Sequence, residues 1–185
     1  MTSRFIATIL LGILTGFGGE ATAREGVGKK SIMERFALGV AVGNFDADTE
    51  NSDDPHLNTP SYSLMASFTP WRYLGVDAEL FHIANIGEND DFGLRTQFGG
   101  DGAALSLRAR WPIAEDFEFY LRAGYGVIEL SDDAVLLDEP LPDQIEQPVF
   151  GGGIRGERWF LEYVNQGKAG DLYLEQLRAG WLFRF

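Results

Sequence analysis

Alternation of apolar and polar residues is the dominant pattern of this chain, and it is clearest over residues 173–185. One face of this segment carries apolar side chains and is interrupted only by Glu175: Tyr173, Leu177, Ala179, Trp181, Phe183 and Phe185. The opposite face carries Gln176, Arg178, Gly180 and Arg184. A period of two is that of a β-strand, and this polarity is typical of a strand with lipid on one side and a polar lumen on the other. The segment therefore predicts one strand of a transmembrane β-barrel.

The same alternation recurs in seven earlier segments: residues 35–45, 61–70, 73–83, 102–111, 117–130, 149–156 and 158–165. Their connections alternate in length. Short turns fall at 70–72, 112–116 and 156–157, long stretches at 46–60, 84–101 and 131–148, and an intermediate one at 166–171. Outer-membrane barrels have short periplasmic turns and longer extracellular loops. The sequence thus predicts an all-β fold, an eight-stranded antiparallel up-and-down transmembrane β-barrel.

The N-terminus has the features of a secretory signal peptide. Arg4 provides a positive charge, an apolar stretch follows from Phe5 to Leu14, and Ala21-Thr22-Ala23 has the small residues of a cleavage site. We expect a signal peptide at 1–23, a short periplasmic segment at 24–34 and the barrel domain at 35–185. An uncleaved amphipathic anchor is the alternative interpretation of the first residues.

Composition narrows the classes of partner and chemistry. The chain has 15 basic and 28 acidic residues and a net charge of −13, which argues against nucleic acid as a partner. It has no cysteine, so disulfides and thiolate chemistry are excluded. No cofactor is expected.

The predicted inward faces are strongly ionic. They carry Arg35, Asp77, Glu79, Arg108, Arg110, Glu118, Arg122, Arg158, Glu162, Arg178 and Arg184. The interior of an eight-stranded barrel is just wide enough to be filled by side chains. We therefore expect a packed ionic network that fills the lumen. The surplus of arginine leaves a narrow, anion-preferring pore as the alternative.

Large aromatic residues collect near the short-turn side, and others close the chain. They are Trp71, Trp111, Phe117, Trp159, Trp181, Phe183 and Phe185. Aromatic residues at this level form the interfacial girdle of membrane barrels.

The signal peptide, the eight alternating segments, the run Leu121–Gly126 and the ending Trp181–Phe185 together resemble the OmpA/OmpX-type eight-stranded barrel superfamily. The resemblance implies a Gram-negative outer-membrane location, surrounding lipid and lipopolysaccharide, and a C-terminal strand read by the barrel assembly machinery. A large periplasmic domain, present in some relatives, is not expected. Members without that domain are regarded as envelope-stability, adhesion or host-contact proteins.

One run is chemically suggestive, since Phe81-His82-Ile83-Ala84-Asn85 resembles the His-x-Ser-Asn motif of outer-membrane lipid A deacylases. Ala84 stands where that motif has its serine, so a general base would have no hydroxyl to activate. His82 is therefore expected to be a surface residue at the end of a strand.

Acidic residues concentrate in the long connections. Asp46, Asp48 and Glu50 offer a weak divalent-cation site, but they lack the glycine and the distal glutamate of an EF-hand loop. A solvated charged surface is the simpler interpretation. We expect a non-enzymatic barrel with a structural or surface-interaction role and an unidentified extracellular loop partner. A lipid-modifying enzyme and a soluble periplasmic β-protein are the remaining alternatives.

Overall fold

The computed structural model describes residues 35–48, 57–89, 95–131, 134–136, 139–169 and 172–184. The chain divides into a unit of Met1–Lys30 and a unit of Ser31–Phe185, and all described residues belong to the second. The expected signal peptide and the 24–34 segment lie outside the described residues, as do Glu50 and Phe185. In the described part, no helix is long and apolar enough to cross a membrane.

The described strands form one closed antiparallel sheet. They are β1 Phe36–Asp48, β2 Leu57–Trp71, β3 Leu74–Asn89, β4 Arg95–Ala114, β5 Phe117–Leu130, β6 Val135–Leu136, β7 Glu139–Pro140, β8 Gln144–Arg155, β9 Trp159–Ala169 and β10 Leu172–Arg184. Eight of them form the barrel in the order β3-β2-β1-β10-β9-β8-β5-β4, and pairing of β3 with β4 closes it. The short β6 and β7 form a hairpin that pairs with β4 at Gln97 and Val135. The predicted eight-stranded up-and-down barrel is confirmed.

The two ends of the barrel differ. We call the end with the tight connections at 72–73, 115–116 and 156–158 the turn end, and the opposite end the loop end. The strands reach further towards the loop end than the alternation predicts. The third predicted strand ends at residue 83, whereas β3 continues to Asn89, and β4 begins at Arg95 rather than at residue 102.

The barrel strands exchange their apolar and polar faces along their length. On β5, Leu121 points outward and is 59% exposed while Arg122 is buried inside. Seven residues further on, Ile128 is fully buried inside and its neighbour Glu129 faces outward. β10 shows the same change between Leu177, which is exposed, and Leu174, which is buried. The period of two is kept, but the apolar face changes from outside to inside as the surroundings change from lipid to water.

Inward apolar side chains fill the loop end of the barrel. We call this set the loop-end core: Phe45, Ala47, Leu57, Phe81, Ile83, Phe98, Ala104, Ile128, Leu130, Ala134, Ile145, Val149, Val164, Leu172 and Leu174. Phe45 and Phe98 stack across it with ring centroids 5.8 Å apart. Such packing is that of a water-soluble protein interior. The loop end is therefore closed by a hydrophobic core.

A smaller apolar group lies on the other side of the charged interior. The turn-end cluster consists of Ala41, Met65, Phe160 and Leu182. Phe160 lies over Gly180, where an added Cβ would come within 2.3 Å of its ring. The glycine thus gives the aromatic ring its space.

Candidate functional site

Four charged side chains from four strands form a ring inside the barrel. Glu79 on β3 accepts a hydrogen bond from Arg122 Nη2 on β5 at 2.9 Å and another from Arg178 Nη2 on β10 at 2.9 Å. Glu162 on β9 accepts from Arg178 Nε at 2.9 Å and lies 3.3 Å from Arg122 Nε. Each carboxylate therefore contacts both arginines. All four side chains are at most 1% exposed.

The surroundings of this ring supply further hydrogen bonds. Arg178 Nη1 donates to Ser63 Oγ at 3.3 Å and to the amide oxygen of Gln176 at 3.5 Å. Gln176 in turn donates to Ser61 Oγ at 2.6 Å. Buried charges are tolerated when they are paired and hydrogen-bonded in this way. The ring and these hydrogen bonds together tie β10 to β2, β3 and β9 through side chains.

A second charged group lies around Asp77. Its carboxylate accepts a hydrogen bond from Ser67 Oγ at 2.6 Å and lies 3.2 Å from Arg108 Nη1. Arg108 also donates to Thr69 Oγ1 at 3.2 Å, and its guanidinium carbon lies 5.7 Å from the Tyr120 ring centroid. A third group is the ion pair of Arg110 with Glu118 on neighbouring strands.

Three predicted lumen residues lie outside these groups. Arg35 is half-buried and donates to the Pro70 carbonyl at 3.2 Å. The inward assignments of Arg158 and Arg184 are wrong, because both side chains are exposed. Arg158 belongs to the turn before β9, and Arg184 is the last residue of β10, so neither position is enclosed by the barrel wall.

Sequence reasoning also missed Arg155, which is buried inside at the end of β8. The glycine-rich segment before it gave no polarity contrast. Its inward position could have been inferred from the period of two, since Gly151, Gly153 and Arg155 share one face of the strand. We call the full set the ionic layer: Asp77, Glu79, Arg108, Arg110, Glu118, Arg122, Arg155, Glu162 and Arg178.

The outer surface carries large aromatic residues near the turn end. Trp71, Trp111, Trp159, Trp181 and Phe183 are between 40% and 64% exposed. Phe117 is half-buried against Trp159, with ring centroids 6.1 Å apart. The Phe36–Phe68 stack, with centroids 4.6 Å apart, adds two residues that the sequence did not single out for this girdle.

The His82 run lies on β3, towards the loop end. His82 points outward, and its Nδ1 lies 2.8 Å from Asp101 Oδ1 on β4. Its neighbours Phe81 and Ile83 are buried in the loop-end core. Asn85 accepts a hydrogen bond from Ser131 Oγ at 2.6 Å.

The proposed metal ligands Asp46 and Asp48 lie on β1, next to the first stretch of residues that is not described. Asp46 accepts a hydrogen bond from Asn58 Nδ2 at 2.6 Å. Within the described ranges, no group of three or more histidine or acidic residues is placed to hold a metal ion.

The architecture is similar to that of solved eight-stranded barrels. Neisserial surface protein A is 13% identical with a TM-score of 0.57, and the match covers 81% of this chain and 97% of that one. The attachment invasion locus protein Ail of Yersinia pestis, solved with the heparin analogue sucrose octasulfate, is 14% identical with a TM-score of 0.50. That match covers 80% of this chain and 97% of Ail. The sequence matches no family model and no curated protein, so the likeness lies in the fold.

The chain therefore has the fold of small eight-stranded outer-membrane barrels. In a barrel of this fold that spans a membrane, outward apolar residues must face lipid. Here the outward face of β5 is apolar from Phe119 to Val127, a stretch of roughly 26 Å along the strand. At the usual strand tilt this corresponds to about 20 Å of membrane depth, close to the apolar band of outer-membrane barrels. The protein is therefore an outer-membrane barrel.

Proposed function

We propose that this protein is a sealed, non-catalytic outer-membrane barrel that presents an acidic surface at its loop end to a cationic partner outside the cell. The observation that carries this proposal is the exchange of faces along the strands. It extends the barrel wall beyond the lipid band and covers the outside of this extension with carboxylates. These are Asp46, Asp48, Asp101, Glu129, Glu146 and Glu175, all exposed or half-buried.

The charge of this surface bears on the class of partner. Ail was solved with a sulfated sugar analogue, which is a polyanion. An acidic loop end would repel such a ligand and would attract a basic peptide or protein surface. The attraction of this surface for cations is increased where two carboxylates lie opposite each other. Asp46 and Glu175 are such a pair, because they are register partners on β1 and β10. A cation held near them would relieve their repulsion.

The interior supports a sealed rather than a conducting barrel. The loop-end core closes one end of the lumen, and the ionic layer occupies its middle with side chains that are nearly all buried. An anion-preferring channel was the alternative based on the arginine surplus. A continuous path for ions would have to cross the loop-end core, in which Phe45 and Phe98 stack.

Two partners belong to the membrane itself. We propose that lipid and lipopolysaccharide surround the outward apolar band, and that the assembly machinery recognises β10 with its terminal aromatic residues. The absence of a hydroxyl at Ala84 supports a role without catalysis.

Binding to defined charged probes tests the proposed function. The full-length barrel in nanodiscs is expected to bind an oligolysine peptide with an affinity that falls as salt rises, and to ignore sucrose octasulfate. A variant with Asp46→Asn, Asp48→Asn, Glu146→Gln and Glu175→Gln should lose most of the peptide binding. Equal peptide binding by this variant, or binding of the octasulfate by the native barrel, would contradict the proposal.

Conductance tests the sealed interior separately. Protein inserted into planar lipid bilayers is expected to give no steady single-channel current. A reproducible ohmic step with anion selectivity would replace the sealed barrel with the channel interpretation.

A further inference from the structure

The charges of the ionic layer do not balance. The ring has two arginines and two carboxylates, Glu79 and Glu162 with Arg122 and Arg178. The pair of Arg110 and Glu118 is also neutral. The remaining group has one carboxylate, Asp77, for the two arginines Arg108 and Arg155. One positive charge is left over in the interior.

Arg155 is the side chain without a carboxylate. It is 4% exposed, and its one hydrogen bond within the described residues runs from Nη1 to Ser67 Oγ at 3.4 Å. In the described part of the chain, neither its Nε nor the Nε of Arg108 has a hydrogen-bond partner. Arginine cannot lose its proton in a protein, so the charge of Arg155 cannot be removed by titration. A buried guanidinium without a counter-charge is strongly unfavourable.

Glu118 is the competing partner for Arg155. The two residues are register partners on β5 and β8, and Glu118 Oε1 has no hydrogen-bond partner among the residues that the structure describes. However, Glu118 already pairs with Arg110 through its other oxygen. Transfer of Glu118 to Arg155 would leave Arg110, which is 17% exposed, as the unpaired arginine. The surplus charge would then lie where water can reach it.

The enclosure of Arg155 limits what can neutralise it there. Across the strand pair it faces Phe160, a member of the turn-end cluster, and its hydrogen-bond partner Ser67 is 1% exposed. A barrel of this size is filled by its own side chains, so a large organic acid has no room. A monatomic anion needs only a few N–H donors, which guanidinium nitrogens provide.

We propose that Arg155 forms a buried binding site for one small inorganic anion of halide size. The anion neutralises the surplus charge of the ionic layer and is held inside the barrel instead of being conducted. Because it binds the folded barrel and not the unfolded chain, it raises the stability of the fold.

Thermal unfolding of the full-length barrel in detergent tests this site. Bromide replaces gluconate at constant ionic strength, and the midpoint is measured by the gel-mobility difference between folded and unfolded protein. We expect a saturating rise of about 2–4 °C for the native barrel. The rise should be absent in Arg155→Met and present in Arg158→Met, which removes an exposed arginine three positions along the chain. Sulfate in place of bromide should give no saturating rise.

Two results would overturn the site. One is a native barrel whose midpoint does not depend on bromide, which would favour the pairing of Arg155 with Glu118. The other is an equal, non-saturating dependence in both variants, which would indicate a general salt effect. If Arg155→Met does not fold, crystals of the native barrel grown in bromide decide the question. An anomalous peak is expected against the Arg155 guanidinium, and peaks confined to the outer surface would exclude the proposal.

Discussion

Arg178 and Glu79 are 99 residues apart in the chain and meet inside the barrel, where Arg178 Nη2 donates to Glu79 Oε2 at 2.9 Å. Their strands, β10 and β3, are not neighbours in the sheet. The contact therefore spans the lumen, and it connects the C-terminal strand to the opposite wall. Since Glu162 and Arg122 complete the same ring, the removal of one member leaves the others with unbalanced charge.

Arg178→Met should destabilise the barrel strongly. Loss of the guanidinium leaves Glu79 and Glu162 buried with Arg122 as their shared partner, and breaking a buried pair costs about 3–5 kcal/mol. Urea unfolding of the refolded protein in detergent measures the free energy of unfolding. Arg184→Met is the matched control on the same strand, because Arg184 is exposed. It should change this free energy by no more than about 0.5 kcal/mol. Equal stabilities of the two variants would show that the ring contributes nothing.

Removal of an aromatic ring should have different effects inside and outside the barrel. Phe45 is fully buried and stacks on Phe98, so Phe45→Ala leaves a cavity and should cost about 3–5 kcal/mol. Phe150 is 55% exposed on the outer face, where lipid or detergent can occupy the space that Phe150→Ala creates. We expect the second variant to cost clearly less in the same urea titration. A loop-end core that is not packed in solution would give similar values for both.

A new positive charge should reduce the folding yield at one position of β5 and leave it unchanged at another. Leu121 faces lipid, and an arginine near the middle of the membrane costs about 2–4 kcal/mol in a barrel. Glu129 lies beyond the apolar stretch of the same strand, where the cost falls to about 0–1 kcal/mol. Folding yield into lipid vesicles, measured by gel mobility, should drop for Leu121→Arg and be preserved for Glu129→Arg. A drop for both variants would place the membrane boundary nearer the loop end than the exchange of faces indicates.

Close strand contact at an inward glycine should make Gly153 intolerant of substitution. A Cβ at this position would come within 2.2 Å of the Leu161 carbonyl oxygen, which is backbone and cannot move aside without disturbing the β8–β9 pairing. Gly153→Ala should therefore lower the thermal midpoint markedly. Gly87→Ala is the control, since its Cβ would meet its nearest atom at an ordinary 3.5 Å. Similar midpoints for both variants would contradict the close contact.

The strands could be predicted because a period of two runs through the barrel segments, and it is weak only in the glycine-rich segment before Arg155. The strand ends at the loop end could not be predicted, because an apolar face was expected to be the outer face along the whole of each strand. Glu175 was therefore treated as an interruption of an apolar face. In the structure it is the outward residue beside buried Leu174, and it marks the point where the strand leaves lipid.

The charged interior was predicted in its composition but not in its pairing. Alternation places Glu79, Glu162, Arg122 and Arg178 inside, but strand tilt and register decide which of them meet across the lumen. Alternation also fails at strand ends, which is why Arg158 and Arg184 were misplaced. The glycine-rich segment before Arg155 concealed the one arginine of the ionic layer that has no carboxylate partner among the described residues.

The exchange of faces has a consequence for the surrounding bilayer. A shift of the barrel along the membrane normal would bring outward carboxylates such as Glu129 and Glu175 into hydrocarbon, and a shift in the other direction would bring apolar residues into water. Both displacements are unfavourable, so the protein defines its own immersion depth. Where the hydrophobic thickness of the membrane differs from that of the barrel, the lipids next to the wall must stretch or compress to match it.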